Sequence, residues 1–314
     1  MLSLIRRLRQ KGVLGLNARN GAYILPHNPR RLYPLVDDKL LTKKLAAKAG
    51  VAVPELYGVV ETPHQTLDML DKLKGFSDFV VKPAHGSGGD GILVVVGKTK
   101  RGYRLANGTL VTLGEIAFHI NNTLSGIYSL GGQPDVALIE YRVKFDPVFE
   151  DITYNGVPDI RIIVFHGVPV MAMVRLPTRA SSGKANLHQG AIGVGVDMST
   201  GTTLKAVYKN DIIEEHPDTG NPVMGVAIPH WKRLLTIAAS SLELTGLPYQ
   251  GIDIVLDKEL GPLVLELNAR PGLGIQIANR TGLGNRLEKV TQKRQSLKSL
   301  DERVAFAQEN FSAE

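Results

Sequence analysis

The chain has 314 residues and a formal net charge of +7, with 43% hydrophobic and 21% charged residues. This length allows one large domain or two small ones, and the composition is ordinary for a globular protein. The absence of cysteine excludes disulfides, thiolate zinc sites and cysteine nucleophiles. The absence of disulfides fits a cytoplasmic protein. Because no run of about 18 apolar residues occurs, we expect no membrane partner. The positive net charge is compatible with a solvated surface or with an anionic ligand, and it does not distinguish ATP, an acidic substrate and a nucleic acid as that ligand.

The first part of the chain predicts a basic N-terminal arm followed by alternating helices and strands. Residues 1–37 are basic and contain several prolines, which favours a loop-like arm. Capping patterns, glycine stops and β-branched runs define the elements that follow. They are helices over about 38–49 and 62–75 and from Thr112 onward, and strands at 79–82, 92–96 and 136–140.

The second part predicts hairpins around one long helix. His166-Gly167 joins two apolar strands and indicates a tight hairpin turn. The other elements are a polar mobile loop at 178–190, a helix at 229–245, strands at 251–256 and 262–267, and a charged helix or loose tail at 285–314. This mixture favours an α+β fold with largely antiparallel sheets.

The segment from Lys82 to Gly91 is the first motif with chemical content. It contains G-x-G-x-x-G, but it lies between two predicted strands and lacks the G-K-[ST] ending of a Walker A loop. A glycine loop between strands is similar to the flap that covers ATP phosphates in kinases. Its backbone N–H groups and Lys82 could approach phosphate oxygens. The alternative is a plain flexible turn.

Two carboxylates and an amide converge in the segment 251–274. If the hairpin turn is centred between Glu259 and Leu260, Asp253 lies directly opposite Glu266, and Asn268 points to the same face. Facing carboxylates repel each other unless a cation compensates, and Mg²⁺ prefers oxygen ligands of this kind. The pattern therefore predicts a metal site, with a solvated hairpin face as the alternative.

Taken in order, these motifs resemble the ATP-grasp superfamily and, within it, the RimK-like glutamate ligases and glutamate-ligase-related proteins. The resemblance covers about residues 38–283. It is carried by the Lys82 strand with its glycine loop, Ile139-Glu140-Tyr141, Asp159-Ile-Arg161, Asn186-Leu-His188 and Glu266-Leu-Asn-Ala-Arg-Pro-Gly272. It implies two α+β subdomains, residues 38–136 and 137–284, with ATP and Mg²⁺ or Mn²⁺ between them.

The resemblance also implies roles for individual residues. The implied nucleotide ligands are Lys39, Lys82, His85, Gly86, Ser87, Gly88, Gly89, Glu140, Tyr141, Val143 and Asp159. Glu140 matches the acid that meets the adenine amino group, and Asp146 is a rival of Asp159 for the ribose. The implied catalytic residues are Arg161, Arg270 and Lys184, the substrate-side residues Asn186 and His188, and the metal ligands Asp253, Glu266 and Asn268.

The activity that the resemblance implies is ADP-forming ligation of a carboxylate to an amine through an acylphosphate, adding glutamate or another amino acid to an acceptor. An acidic amino acid or peptide would suit the positive charge. The resemblance implies a further N-terminal domain that helps bind the acceptor, and the roughly 37 residues before the resemblance are too few to form it. A second copy of the chain or a partner protein is therefore expected to complete the acceptor site. The alternatives are an ATP-grasp kinase and a non-enzymatic ATP- or nucleic-acid-binding module. Sparse aromatic residues and missing recognition motifs argue against nucleic acid.

Overall fold

The computed structural model describes residues 2–86, 88–209 and 211–313. The chain divides into two compact units. The larger unit comprises Met1–Asp37, Leu45–Ala52 and Phe145–Glu314, and the smaller comprises Asp38–Lys44 and Val53–Lys144. The division falls after Lys144 rather than at the predicted position 136. The strand that follows position 136, Ala137–Glu140, pairs within the sheet of the smaller unit and so belongs to it. Residues 1–37 belong to the larger unit.

The N-terminal segment is helical, so the predicted loop-like arm is wrong. Its helices are α1 (Leu2–Gln10), α2 (Leu16–Arg19), α3 (Leu25–His27) and α4 (Pro34–Asp37), with a π-helical turn at Asn20–Ile24 and a 3₁₀ turn at Arg30–Leu32. Pro26 and Pro34 lie in the first turns of α3 and α4. Proline is tolerated there because the first N–H groups of a helix have no acceptor within it.

The smaller unit is a six-stranded antiparallel sheet with helices. In chain order its elements are α5 (Lys39–Lys48, shared with the larger unit), β1 (Leu56–Val60), α6 (Gln65–Leu73), β2 (Phe79–Pro83), β3 (Leu93–Thr99), β4 (Gly102–Leu105), β5 (Leu110–Val111), α7 (Leu113–Leu124) and β6 (Ala137–Glu140). The sheet order is β1-β6-β2-β3-β4-β5. The predicted capping box of α7 is present, with Thr112 and Glu115 bonded reciprocally.

The core of the smaller unit forms where α6 and α7 cover the sheet. Its buried residues include Met69 and Leu73 from α6, Ile116 and Ile120 from α7, and Phe79 from β2. At the start of α6, one of the two hydrogen bonds of the predicted capping box is present: Gln65 accepts from the Thr62 N–H. The other is absent, since no side chain caps the helix N-terminus.

The larger unit contains a seven-stranded antiparallel sheet. Its strands are β7 (Asp159–Phe165), β8 (Val168–Leu176), β9 (Ile192–Val196), β10 (Thr203–Tyr208), β11 (Asp211–Ile213), β12 (Tyr249–Asp257) and β13 (Gly261–Asn268), in the order β11-β10-β9-β8-β7-β12-β13. Its later helices are α8 (Trp231–Thr245), α9 (Gly274–Ala278), α10 (Gly284–Lys293) and α11 (Leu300–Asn310), with 3₁₀ turns at Pro147–Ile152 and Leu187–Gln189. The predicted α+β class with antiparallel sheets is confirmed.

The ends of these elements follow local chemistry. His166 and Gly167 both have positive φ at the β7–β8 turn, as a two-residue hairpin requires. Gly246 ends α8 in the left-handed conformation. The last part of the chain is not a loose tail, because Val290, Val304 and Phe311 are buried. None of the helices found in the described residues combines the length and apolarity that crossing a membrane requires.

Candidate functional site

A row of charged side chains runs across four neighbouring strands of the larger unit. Asp253 on β12 pairs with Glu266 on β13 and with Arg161 on β7. Asp159 on β7 pairs with Arg175 on β8. Residues that pair across strands, or lie two apart along one, share a sheet face. The five charges therefore form one array on one face.

The predicted pairing of Asp253 with Glu266 is confirmed, but the register has a different origin. Asp257 pairs with Gly261, so the turn is centred on Glu259 rather than between it and the next residue. An irregularity between Asp253 and Ile254 then shifts the register and brings Glu266 opposite Asp253. Without that bulge a leucine would face Asp253, since a one-residue slip reverses the side-chain faces.

Two arginines hold the Asp253 carboxylate. Arg161 donates from Nε to Oδ1 at 2.7 Å and from Nη2 to Oδ2 at 2.5 Å. Arg175 donates from Nη2 to Oδ2 of Asp253 at 2.8 Å and from Nε to Oδ1 of Asp159 at 2.5 Å. Bidentate guanidinium–carboxylate pairs are strong and directional. The two acids and two arginines thus form a closed and neutral buried network.

Burial and charge shift the pKa values of this network in opposite directions. Burial raises the pKa of Asp159 to about 6, although Arg175 opposes the shift. Burial also acts to raise the pKa of Asp253, but the charges of Arg161 and Arg175 outweigh it and hold this pKa below its usual range. Asp253 is therefore the carboxylate that stays ionised, and Asp159 is the one closest to accepting a proton near neutral pH.

The donor set next to this network fits Mg²⁺ in part. Asn268 Nδ2 lies 3.2 Å from Glu266 Oε1 and 3.5 Å from Asp253 Oδ2, so a half-turn of the amide would present its oxygen beside the Glu266 carboxylate. Within the described part of the chain, Glu266 has no ion-pair partner. Both oxygens of Asp253 accept from arginines, and no group of three His, Cys, Asp or Glu side chains among the described residues is placed to hold a metal. Glu266 fits the ion as it stands, Asn268 fits after the half-turn of its amide, and Asp253 fits only if its arginines turn away.

A second buried ionic cluster lies in the smaller unit. Glu140 forms ion pairs with Lys82 at 2.5 Å and with Lys43 at 2.8 Å, and all three side chains are at most 7% exposed. Burial acts to raise the pKa of Glu140, but the two lysine charges outweigh it and lower this pKa. The predicted adenine ligand and the predicted phosphate ligand are therefore ion-paired to each other. Their common partner, Lys43, is not among the predicted site residues.

Lys43→Met should change how stability depends on pH. Burial lowers the pKa of Lys43 from 10.5 to about 8, against the attraction of Glu140. Between these values the unfolded chain binds more protons than the folded chain, so Lys43 makes stability rise with pH. The stability of the wild type relative to K43M should increase by up to about 3 kcal/mol across this window, as urea unfolding measures. Lys44→Met, which removes an exposed neighbouring lysine, is the control. If the difference in free energy of unfolding between the wild type and K43M did not change with pH, the assignment would be contradicted.

The glycine loop is anchored at its N-terminal side. The His85 ring Nδ1 lies 2.7 Å from Asp135, and Lys39 donates to the Gly86 carbonyl at 2.5 Å. Gly88 and Gly89 have positive φ, as does the loop's last glycine, which favours glycine over other residues there. The predicted ligand Ser87 lies outside the described residues.

Other predicted nucleotide ligands lie just after β6. The Tyr141 N–H donates to Glu55 at 2.8 Å, and Val143 is buried. The rival ribose acid Asp146 accepts from the Val148 N–H at 2.9 Å and caps a 3₁₀ turn. Asp146 therefore has a structural role, whereas Asp159 belongs to the charged array.

The remaining predicted residues are not in the array. Arg270 is exposed and its guanidinium lies 5.4 Å from the ring centre of Tyr33. Lys184 and Asn186 are half-buried, and Asn186 accepts from the N–H of the exposed His188 at 3.0 Å. The structure pairs none of these four predicted residues with Asp253 or Glu266, and their roles stay predictions.

The sequence reasoning missed Arg175. It is the one charge within the apolar strand β8, Val168–Leu176. A single arginine inside a run of buried aliphatic residues signals a paired charge, since an unpaired one would be costly. Lys43 carried a similar signal, because it lies one helical turn after Lys39 and therefore on the same face of α5.

Comparisons with known proteins agree with the resemblance. A family model described as sugar-transfer associated ATP-grasp matches residues 18–292. A probable alpha-L-glutamate ligase of Sodalis glossinidius (strain morsitans) is 26% identical over 243 residues, covering 77% of this chain and 60% of that protein. One of Legionella pneumophila (strain Corby) is 24% identical over 258 residues, covering 82% of this chain and 63% of that protein. The chain thus spans somewhat under two thirds of the length of these curated relatives.

Solved structures give more distant matches. The VanG D-Ala:D-Ser ligase from Enterococcus faecalis has a TM-score of 0.48 and 12% identity, covering 84% of this chain and 63% of that chain. The D-alanine–D-alanine ligase from Bacillus anthracis has a TM-score of 0.45 and 16% identity, covering 84% and 69%. The ATP-grasp ligase PsnB complexed with minimal precursor has a TM-score of 0.45 and 15% identity, covering 85% and 64%.

Proposed function

Because this chain belongs to the sugar-transfer associated ATP-grasp family, we propose that it is an ATP- and Mg²⁺-dependent carboxylate–amine ligase that releases ADP. The observation that carries the proposal is the charged array: a carboxylate without an ion-pair partner among the described residues, Glu266, lies beside two converging arginines. Metal-binding oxygens beside guanidinium groups are what stabilisation of a transferring phosphoryl group requires.

The proposed reaction has two steps that need no protein nucleophile. A substrate carboxylate oxygen attacks the γ-phosphorus of ATP, and the bond to the β–γ bridging oxygen breaks, giving an acylphosphate and ADP. An amine nitrogen then attacks the acyl carbon, loses a proton and displaces inorganic phosphate, giving an amide. Positioning and charge stabilisation are the protein's main contributions to such a transfer.

The residues of each unit have separate proposed roles. In the smaller unit, Glu140 would accept from the adenine amino group, while Lys82, Lys39 and the loop glycines would donate to phosphate oxygens. The ion pair between Lys82 and Glu140 orders both side chains. In the larger unit, Glu266 and Asn268 would hold Mg²⁺, which when bound neutralises charge on the phosphates.

The arginine network suggests how Asp253 would join this site. Arg161 and Arg175 neutralise Asp253 in the structure. Phosphate oxygens offer both guanidinium groups an equivalent bidentate acceptor. If the arginines turned to the phosphates, an Asp253 oxygen would be free to help Glu266 hold the metal. We therefore propose that Arg161 and Arg175 exchange Asp253 for the phosphates of the bound nucleotide.

For the substrate we propose glutamate or another acidic amino acid, joined to an amino acid or peptide amine. The relatives from Sodalis glossinidius and Legionella pneumophila are named probable alpha-L-glutamate ligases. The net charge of +7 favours encounter with an anionic substrate. Lys184, Arg270, Asn186 and His188 are the proposed substrate-side residues.

The test is ADP release from purified full-length protein with ATP and Mg²⁺, across a panel of amino acids and short acidic peptides, alone and in pairs. We expect one carboxylate–amine pair to stimulate release and to yield an amide detected by mass spectrometry. A stable phosphorylated product would instead identify a kinase. If no pair stimulates ADP release, the ligase proposal fails.

A further inference from the structure

A cationic pocket lies beyond the β7–β8 turn of the larger unit. Its volume is about 420 Å³, and its charged lining residues are Glu243, Arg294, Lys298 and Arg303, beside His166 of the hairpin turn. Burial, and the nearby charges of His27 and Arg294, lower the pKa of His166 to about 4, so this ring is neutral near pH 7. Three cations against one carboxylate leave the pocket positive.

Arg303 supplies a buried donor at the wall of this pocket. The residue is 5% exposed. Its Nη2 donates to Glu243 at 2.5 Å and its Nε donates to the Ser299 carbonyl at 3.2 Å. Among the described residues, Nη1 has no hydrogen-bond partner. This nitrogen lies against Gly167. A buried N–H without an acceptor costs free energy, and an oxygen in the pocket would recover it if the guanidinium turned its Nη1 edge from Gly167 toward the pocket.

Gly167 makes this placement of Arg303 possible. A Cβ built at Gly167 would overlap Nη1 of Arg303. The hairpin turn therefore provides the space in which the unpaired guanidinium edge lies. A side chain at this position would displace the arginine as well as strain the positive φ of the turn.

The rim of the pocket adds two exposed cations. Arg294 and Lys298 are both exposed, and Arg294 Nη1 lies 3.0 Å from His166 Nε2. Because the neutral His166 can accept this hydrogen bond, it orients Arg294 without adding a competing charge. Guanidinium and ammonium groups around a buried donor match the oxygens of a phosphate group.

We propose that this pocket binds the phosphate group of a small phosphorylated molecule, with Arg303 as its buried anchor and Arg294 and Lys298 as its rim. The pocket is open to solvent, and its volume of about 420 Å³ exceeds what a bare phosphate fills. The site is separate from the charged array, since Arg161 and His166 are about 17 Å apart along β7. It is an additional ligand site and does not depend on the proposed ligase activity.

The experiment is isothermal titration of the nucleotide-free protein, at low ionic strength, with inorganic phosphate and with phenyl phosphate. Phenyl phosphate should bind at least as tightly as phosphate, because it also fills the pocket. Arg303→Gln should weaken binding by roughly tenfold or more. Arg294→Gln and Lys298→Gln should each weaken it about threefold, and Glu243→Gln should strengthen it about threefold by removing the one anion.

Two controls separate this site from the rest of the molecule. Lys289→Gln removes an exposed cation of α10 outside the pocket and should leave the dissociation constant unchanged. Glu266→Gln should also leave it unchanged, since that residue belongs to the proposed metal site. If Arg303→Gln does not fold, the phosphate affinities of the Glu243, Arg294 and Lys298 variants test the proposal. Wild-type affinity in all three, loss of binding in Glu266→Gln, or no binding at about 10 mM phosphate overturns the proposal.

Discussion

Glu266→Gln is expected to lower Mg²⁺-dependent ADP release by about 10²–10³-fold, the effect of losing several kcal/mol of metal-based charge stabilisation. The amide keeps the shape of the side chain but removes the negative charge that attracts a divalent cation. The measurement is the rate of ADP formation as a function of Mg²⁺ concentration, with the substrate pair that stimulates the wild type.

This prediction has a matched control on the same hairpin. Glu259 lies in the β12–β13 turn, is exposed and has a distant ion pair with Lys258 at 3.8 Å. Glu259→Gln changes the net charge equally and should keep wild-type activity. Both variants should keep the wild-type melting temperature, because Glu266 has no ion-pair partner in the described part of the chain. Equal activity in Glu266→Gln and the wild type would remove Glu266 from the metal site.

Asp253→Asn is expected to destabilise the folded protein by about 3–5 kcal/mol, because it leaves a buried charge network without its central anion. Asp253 accepts from both Arg161 and Arg175, and its side chain is 2% exposed. With an amide in its place, Arg161 would lose its carboxylate partner, while Arg175 would keep Asp159. The free energy of unfolding in urea, measured with the wild type as reference, gives the value.

The double variant Asp253→Asn/Arg161→Gln tests the cause of this destabilisation. It removes one anion and one cation, leaving the pair of Asp159 with Arg175. We expect the double variant to lose at least about 1 kcal/mol less than the sum of the two single losses, as charges in one network are coupled. Strict additivity, or a loss below about 1 kcal/mol for Asp253→Asn alone, would show that the network does not act as a unit.

Most elements with a local end signal were predictable from the sequence. The capping box of Thr112, the glycine after α8 and the His166-Gly167 turn each act within a few residues, so the sequence is sufficient to place them. The ATP-grasp resemblance is confirmed by the family match over residues 18–292, and the α+β fold is confirmed by the two antiparallel sheets with their helices. The missed parts lack such signals. In β9, alternating glycines hide a buried strand, and in residues 1–37 prolines at helix starts were mistaken for helix breakers.

The candidate site was predictable only where one hairpin sets the geometry. Asp253, Glu266 and Asn268 lie on adjacent strands with a short turn, so counting residues brings them close together, but the pairing of Asp253 with Glu266 also depends on the irregularity between Asp253 and Ile254. The partners of Asp253 depend on two further registers, β12 with β7 and β7 with β8, and on a shift between Ile163 and Val164. These long-range alignments are fixed by packing of the whole sheet, which local patterns do not encode.

The path of a carboxylate oxygen tests the proposed ligase chemistry most directly. The carboxylate of the stimulating substrate is labelled with ¹⁸O, and the inorganic phosphate released with ATP, Mg²⁺ and the amine is analysed by mass spectrometry. Transfer through an acylphosphate predicts one ¹⁸O atom in each phosphate and one amide for each ADP. Release of ADP with unlabelled phosphate, or with the phosphoryl group retained on a stable product, would contradict the account.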